Sequence, residues 1–112
     1  MMRTNLVFHG QNKTVITYSP SLSVSPVAVS LKADGSSVML NRNIITVTVA
    51  DASQSWSISK DSWITITGAS LIGNDQFTIT AQINSSGVVR NGTVTVSSAG
   101  CTSKVISVQQ QA

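Results

Sequence analysis

Apolar residues in this chain recur at every second position over many short stretches, the period of a strand that buries one face. Phe77, Ile79, Ala81 and Ile83 alternate with Thr78, Thr80 and Gln82, and Val94 and Val96 alternate with Thr93 and Thr95. Ile106 and Val108 repeat the pattern near the end. Between residues 54 and 66, Trp56 and Ile58 lie two apart, as do Ile64 and Ile66, with Lys60, Asp61 and Ser62 as a turn between the two runs. Leu22 and Val24, then Val27, Val29 and Leu31, predict a first strand of the main body kinked at Pro26. A long second arm holds residues 38–40 and then Ile45, Val47 and Val49, with residues 41–43 as a bulge or short loop inside it. Turns are expected at residues 33–36, 84–87 and 97–100, where Gly, Asp, Asn and Ser cluster. The loop at residues 68–75 carries two apolar residues, Leu71 and Ile72, expected to tuck back.

Seven or eight strands at regular spacing with no helical stretch read as an all-β sandwich of two antiparallel sheets over residues 22–110. Its expected core is Trp56, Ile58, Ile64, Ile79, Ile83, Val94, Val96, Ile106 and Val108. Two organisational units follow: a β-like N-terminal arm or hairpin at residues 1–20 and the sandwich at 21–112. The arm has two short β-like runs, residues 5–9 and 14–18, around a turn-like 10–13.

Composition narrows the chemistry. With 112 residues there is room for one core and no second catalytic domain. Charged residues make up 10% of the chain, while 19 Ser and 12 Thr stand in for them, and glutamate is absent. The formal charge of +3 comes from Lys and Arg residues scattered singly, not from the cluster with stacking aromatics that a nucleic-acid binder shows. Cys101 is the sole cysteine, so the fold does not depend on an internal disulfide. No stretch reaches the roughly 20 apolar residues of a membrane helix, and the first residues lack a signal-peptide pattern. The expectation is therefore a chain that is cytoplasmic by synthesis or released by a route other than signal-peptide secretion, without nucleic-acid or membrane partners.

Catalysis finds few groups to use. Asp34, Asp51, Asp61 and Asp75 all sit in turn contexts, and His9 has no cysteine or carboxylate nearby in sequence. Neither an enzymatic site, a metal site nor a cofactor is expected, since calcium alone takes six to eight oxygen ligands.

Several stretches resemble one known family. Trp56, the Ser62-Trp63-Ile64 that follows it, the strand at residues 77–84, the Arg90-Asn91-Gly92-Thr93-Val94-Thr95-Val96 stretch and the closing Ile106-Ser107-Val108-Gln109-Gln110 are similar to the BACON domain, the Bacteroidetes-associated carbohydrate-binding, often N-terminal module. The resemblance covers about residues 22–110 and implies an immunoglobulin-like sandwich. It also implies two settings: an accessory of glycan-degrading enzymes, or a protein of tailed phages of gut bacteria.

The expected function is that of a non-enzymatic structural protein of a phage virion, an auxiliary or decoration protein of the capsid or fibre, made in the host cytoplasm. In that reading Leu6, Val7, Phe8, Val15, Ile16 and Tyr18 form an assembly arm that adds a strand to another virion protein or to a second copy. The alternative for the arm is a hairpin folded onto its own sandwich. The alternative function is an extracellular or cell-surface module that binds host or mucin glycans. There Trp63, with Tyr18 or Phe8, would form a sugar platform edged by Gln54, Asn84 and Gln109, with Arg90 as a further contact. Against the platform stands burial of both tryptophans, with Arg90 donating to backbone carbonyls at a sheet corner.

Overall fold

The computed structural model describes the paired backbone of residues 3–7 and 14–17, and residues 19–112 in full. Strands β1 (Arg3–Val7) and β2 (Thr14–Thr17) pair antiparallel, with Arg3 opposite Thr17 and Thr4 opposite Ile16. They form a two-stranded sheet of their own. Phe8, His9 and Tyr18 lie outside the described residues, as do the side chains of Leu6, Val7, Val15 and Ile16.

Eight further strands build the sandwich: β3 (Leu22–Ser25), β4 (Ala28–Leu31), β5 (Ile44–Val49), β6 (Ser57–Lys60), β7 (Ile64–Thr67), β8 (Asp75–Ala81), β9 (Arg90–Ser97) and β10 (Lys104–Gln110). One sheet runs β3-β5-β8-β7 and the other β4-β10-β9-β6. The first is the A-B-E-D order and the second contains the G-F-C order of an immunoglobulin-like sandwich. All pairings within the sandwich are antiparallel except β4 with β10, which is parallel. That pair departs from the all-antiparallel expectation.

Alternation sets the core, as period-2 patterning requires. Leu22, Val24, Ile45, Val47, Val49, Phe77, Ile79 and Ile64 face inward from one sheet, and Val29, Leu31, Val94, Val96, Ile106 and Val108 from the other, with Trp56 between them. The Trp56 and Phe77 rings lie 6.0 Å apart between centroids, and the indole Nε1 donates to the Gly73 carbonyl at 2.9 Å.

Six local expectations are corrected. Leu22 to Leu31 is not one kinked strand: β3 and β4 belong to different sheets, and the chain crosses between them at Pro26. The Lys60-Asp61-Ser62 turn likewise crosses, carrying the chain from β6 in one sheet to β7 in the other. Residues 38–40 are loop with exposed side chains, because Asn41 takes a positive φ of 64° and Asn43 turns inward to donate to the Ile79 carbonyl at 2.8 Å. Ile83 is 72% exposed, since β8 stops at Ala81, whose N–H goes to the Gly35 carbonyl. Leu71 and Ile72 remain exposed, and their loop packs through its backbone, with the Leu71 carbonyl accepting from Trp56 N–H. Ile58 is only partly buried against the core.

Candidate binding surface

The sandwich has two ends. At one, β9 begins opposite the end of β10, with Arg90 across from Gln110, and the other end holds Ser97 across from Ser57. Trp63, Arg90 and Gln110 gather at the first. Trp63 follows the crossing turn, and its carbonyl accepts from the Gln82 N–H at 3.0 Å. The Arg90 guanidinium carbon sits 4.5 Å from the centre of the indole, and so occupies one face of the ring. An edge of the same ring lies against Gly92: a Cβ there would come 2.6 Å from Trp63 Cζ2 and 2.7 Å from Asp61 Oδ2.

Arg90 is fixed by more than the ring. Its Nε donates to Gln110 Oε1 at 2.7 Å and its Nη2 to the Gln82 carbonyl at 3.0 Å. Gln110 is fully buried, and its Nε2 donates to the Gln82 carbonyl at 2.8 Å and to those of Lys32 and Ala33 at 3.2 Å. One amide therefore ties together the end of β10, the turn after β4 and the loop after β8. Every buried side-chain polar atom among the described residues has a partner.

Among the described residues, Gln54, Asn84 and Gln109 are each engaged by partners other than Trp63. Gln54 lies at the far end, donating to the Ser21 carbonyl and to Ser98 Oγ, both at 2.9 Å. Asn84 is buried and donates to the carbonyls of Val88 and Gln111. Gln109 points to the outer face of β10, bonded to Asn91 Oδ1. The arm's candidate residues are divided: Leu6 and Val7 lie on β1 and Val15 and Ile16 on β2, while Phe8 and Tyr18 lie outside the described residues.

What the surface does present is hydroxyl. Thr46, Thr48, Thr65, Thr67, Thr78 and Thr80 line the outer face of one sheet, and Ser57, Ser59, Thr93, Thr95, Ser97 and Ser107 that of the other. All described charged residues lie in turns or at strand ends. Two shallow grooves, each open to solvent, flank β4. One of about 470 Å³ lies beside Pro26, Val27, Met39 and Arg42, and one of about 490 Å³ crosses β4, β10 and β9.

The carboxylates serve turns. The Ser36 hydroxyl and N–H donate to Asp34 Oδ1 at 2.6 and 2.9 Å, and the Ser70 N–H donates to Asp75 Oδ2 at 2.7 Å. These bonds hold both carboxyls below the ordinary range, Asp34 chiefly through the Ser36 hydroxyl and Asp75 chiefly through the Ser70 amide. The Ser53 N–H caps Asp51 in the same way. No group of three or more His, Cys, Asp or Glu residues able to hold a metal occurs among the described residues. No helix is long and apolar enough to cross a membrane.

Residues 53–111 match the sequence model of the BACON family, whose description is that of a binding domain, N-terminal, with no ligand named. This chain belongs to the BACON family. Among solved structures, the domain is similar to a chain described as a Bacteroides ovatus GH5 xyloglucanase in complex with a XXXG heptasaccharide. The two are 29% identical with a TM-score of 0.64, over 80% of this chain and 18% of that one. The BACON domain thus spans less than a fifth of the enzyme's chain. No curated protein matches it. Neither comparison lends support to the virion setting.

Proposed function

We propose that this BACON domain is a non-catalytic structural module in a carbohydrate-related setting, a rigid neutral spacer that positions a working partner and does not itself bind sugar through an aromatic platform. The observation that carries this reading is the commitment of both tryptophans to the fold. Trp56 is buried with its N–H bonded, and one face of Trp63 is occupied by Arg90. Stacking on a sugar needs a free aromatic face; Trp63 packs partly against the core with one edge on Gly92, and uncovering the face beneath Arg90 would break two Arg90 hydrogen bonds as well as the ring contact. The uncharged sheet faces suit a spacer, because they offer neither strong attraction nor repulsion to a neighbour. The likeness to one portion of a xyloglucanase chain supports placement beside a glycan-acting enzyme. Display on a phage capsid or fibre is a second placement for the same kind of module, resting on the sequence resemblance alone.

The test is a titration of the domain with xyloglucan oligosaccharides and a panel of host and mucin glycans, followed by calorimetry and tryptophan fluorescence. No saturable response is expected. Saturable binding that disappears in Trp63→Ala but survives in a surface variant such as Thr95→Ala would overturn the spacer reading and establish the glycan-binding one.

A further inference from the structure

Sheet edges expose unpaired main-chain groups, and proteins defend them with charge, proline, bulges or covering segments. Three of the four edges here are defended. β3 is flanked by Pro20 and Pro26, β6 ends in Lys60, and β4 is partly covered where Val38 N–H bonds the Ser30 carbonyl and Leu31 bridges Ser37. β7 is different. It reads Ile-Thr-Ile-Thr, with no charge and no proline, and is the terminal strand of its sheet.

The register shows which groups are open. The Gln82 N–H bonds the Trp63 carbonyl, and the Ile79 and Ala81 N–H groups turn away from β7 to bond the Asn43 and Gly35 carbonyls. By antiparallel alternation Thr65, opposite Thr80, and Thr67, opposite Thr78, therefore bond inward to β8. The main-chain N–H and C=O of Ile66 are left pointing outward.

The same chain holds a second element in need of a partner. β1 and β2 belong to neither sheet of the sandwich, and an isolated two-stranded hairpin is marginal in water. Residues 1–18 carry Arg3, Lys13 and His9 and no carboxylate, whereas the β7 edge is flanked by Asp61 before it and Asp75 on the neighbouring strand. Lys60, the nearest cation in sequence, closes a strand of the opposite sheet, and Arg90, which lies over Trp63 at one end of the edge, is engaged by Gln110 and the Gln82 carbonyl.

We infer that the β1–β2 hairpin of one copy adds to the β7 edge of a second copy, extending the β3-β5-β8-β7 sheet across the two molecules. Main-chain hydrogen bonds supply the affinity, and the sign of the flanking charges selects this edge. The contact joins two different surfaces, so it builds a ring or a chain of copies and not a face-to-face pair. It is independent of whether the domain binds glycan.

The experiment is sedimentation velocity of the full chain over a dilution series, alongside two full-chain variants. Thr65→Lys/Thr67→Lys places charge on the edge at two exposed positions, and Ile16→Pro disables the hairpin, no described part of which belongs to the core. The natural chain is expected to gain mass with concentration and both variants to stay monomeric, with unfolding midpoints of the sandwich near that of the natural chain. Hydrogen exchange gives a readout that needs no variant: the Ile66 amide slows as concentration rises. A natural chain that stays monomeric throughout overturns the inference, as does association that persists in either variant or leaves the Ile66 amide unprotected.

Discussion

Arg90 caps Trp63, with the guanidinium carbon 4.5 Å from the ring centre. The contact is a hinge point for stability, because the same guanidinium also bonds Gln110 and the Gln82 carbonyl. Arg90→Lys keeps the charge but loses the planar fork, and is expected to cost about 1–2 kcal/mol. Arg90→Ala should cost about 2–3 kcal/mol, since it also leaves the buried Gln110 oxygen without a donor. Urea denaturation followed by tryptophan fluorescence measures both. Equal stability of the lysine variant and the natural protein would show that the fork is irrelevant.

Gln110 is the more demanding position. Gln110→Ala empties a fully buried position and removes the donor serving the Lys32 and Ala33 carbonyls and the acceptor serving Arg90, in bonds that are themselves part-buried. Each group left short of a partner costs about 1–3 kcal/mol, less where water reaches it, so the variant should lose about 2–3 kcal/mol. Gln110→Glu keeps an acceptor for Arg90 while turning a carboxylate oxygen toward carbonyls. The three facing carbonyls favour the protonated form, which can donate to them, so the penalty is expected to shrink as pH falls and grow as pH rises. Chemical denaturation of the Glu variant at mildly acidic and alkaline pH checks the sign.

This glutamine was legible in the sequence, though only in part. Position 110 continues the inward phase of Ile106 and Val108, which is enough to place it inside. What it bonds is a matter of which loops meet at that end, and no local pattern encodes that. The same limit explains Trp63 and Arg90: they lie 27 residues apart, Trp63 in the turn that leads into β7 and Arg90 at the start of β9 in the opposite sheet. Alternation within a strand marked the core at Phe77 to Ala81, overstated it at Ile58 on the edge strand β6, and failed at Ile83, where the strand had already ended. Strand positions were readable at Pro26 and Lys60 but sheet membership was not, because both sheets need the same alternation.

Two glycines separate crowding from backbone strain. Gly35 has φ of 94°, and a Cβ on it would collide with the Ala81 carbonyl oxygen. Gly87 has φ of 80° with open space around it. Gly87→Ala should cost about 1 kcal/mol, the left-handed penalty alone. Gly35→Ala should cost over about 3 kcal/mol or abolish folding, because backbone must move as well. Thermal unfolding of the two variants compares them directly, and similar losses would contradict the packing at Gly35.

Acid sensitivity should come from the turns. Asp34 and Asp75 have folded carboxyls held below their ordinary value of 3.8, so between the two values the unfolded chain binds more protons. Their contribution is complete above 3.8 and is lost as pH falls through the lower folded values. Both groups are exposed, so the slope should be shallow. Denaturation midpoints are expected to stay level from neutral pH to about pH 5 and then decline. Asp34→Asn/Asp75→Asn should flatten that decline, and an unchanged slope would place the acid sensitivity elsewhere.

The parallel pairing of β10 with β4 bears on how the chain is made. β10 is the last strand, yet it fills the gap between β4 and β9, and its Gln110 bonds a carbonyl 78 residues earlier. A chain still emerging from the ribosome can assemble the β3-β5-β8-β7 sheet, but the opposite sheet remains split into a lone β4 and a β6–β9 pair. Closure waits for β10, and the non-local contact makes it the slow event. A chain whose strands up to β9 are free while β10 is still missing would therefore be a half-built sandwich whose inner strands lie open to chaperones or to neighbouring chains.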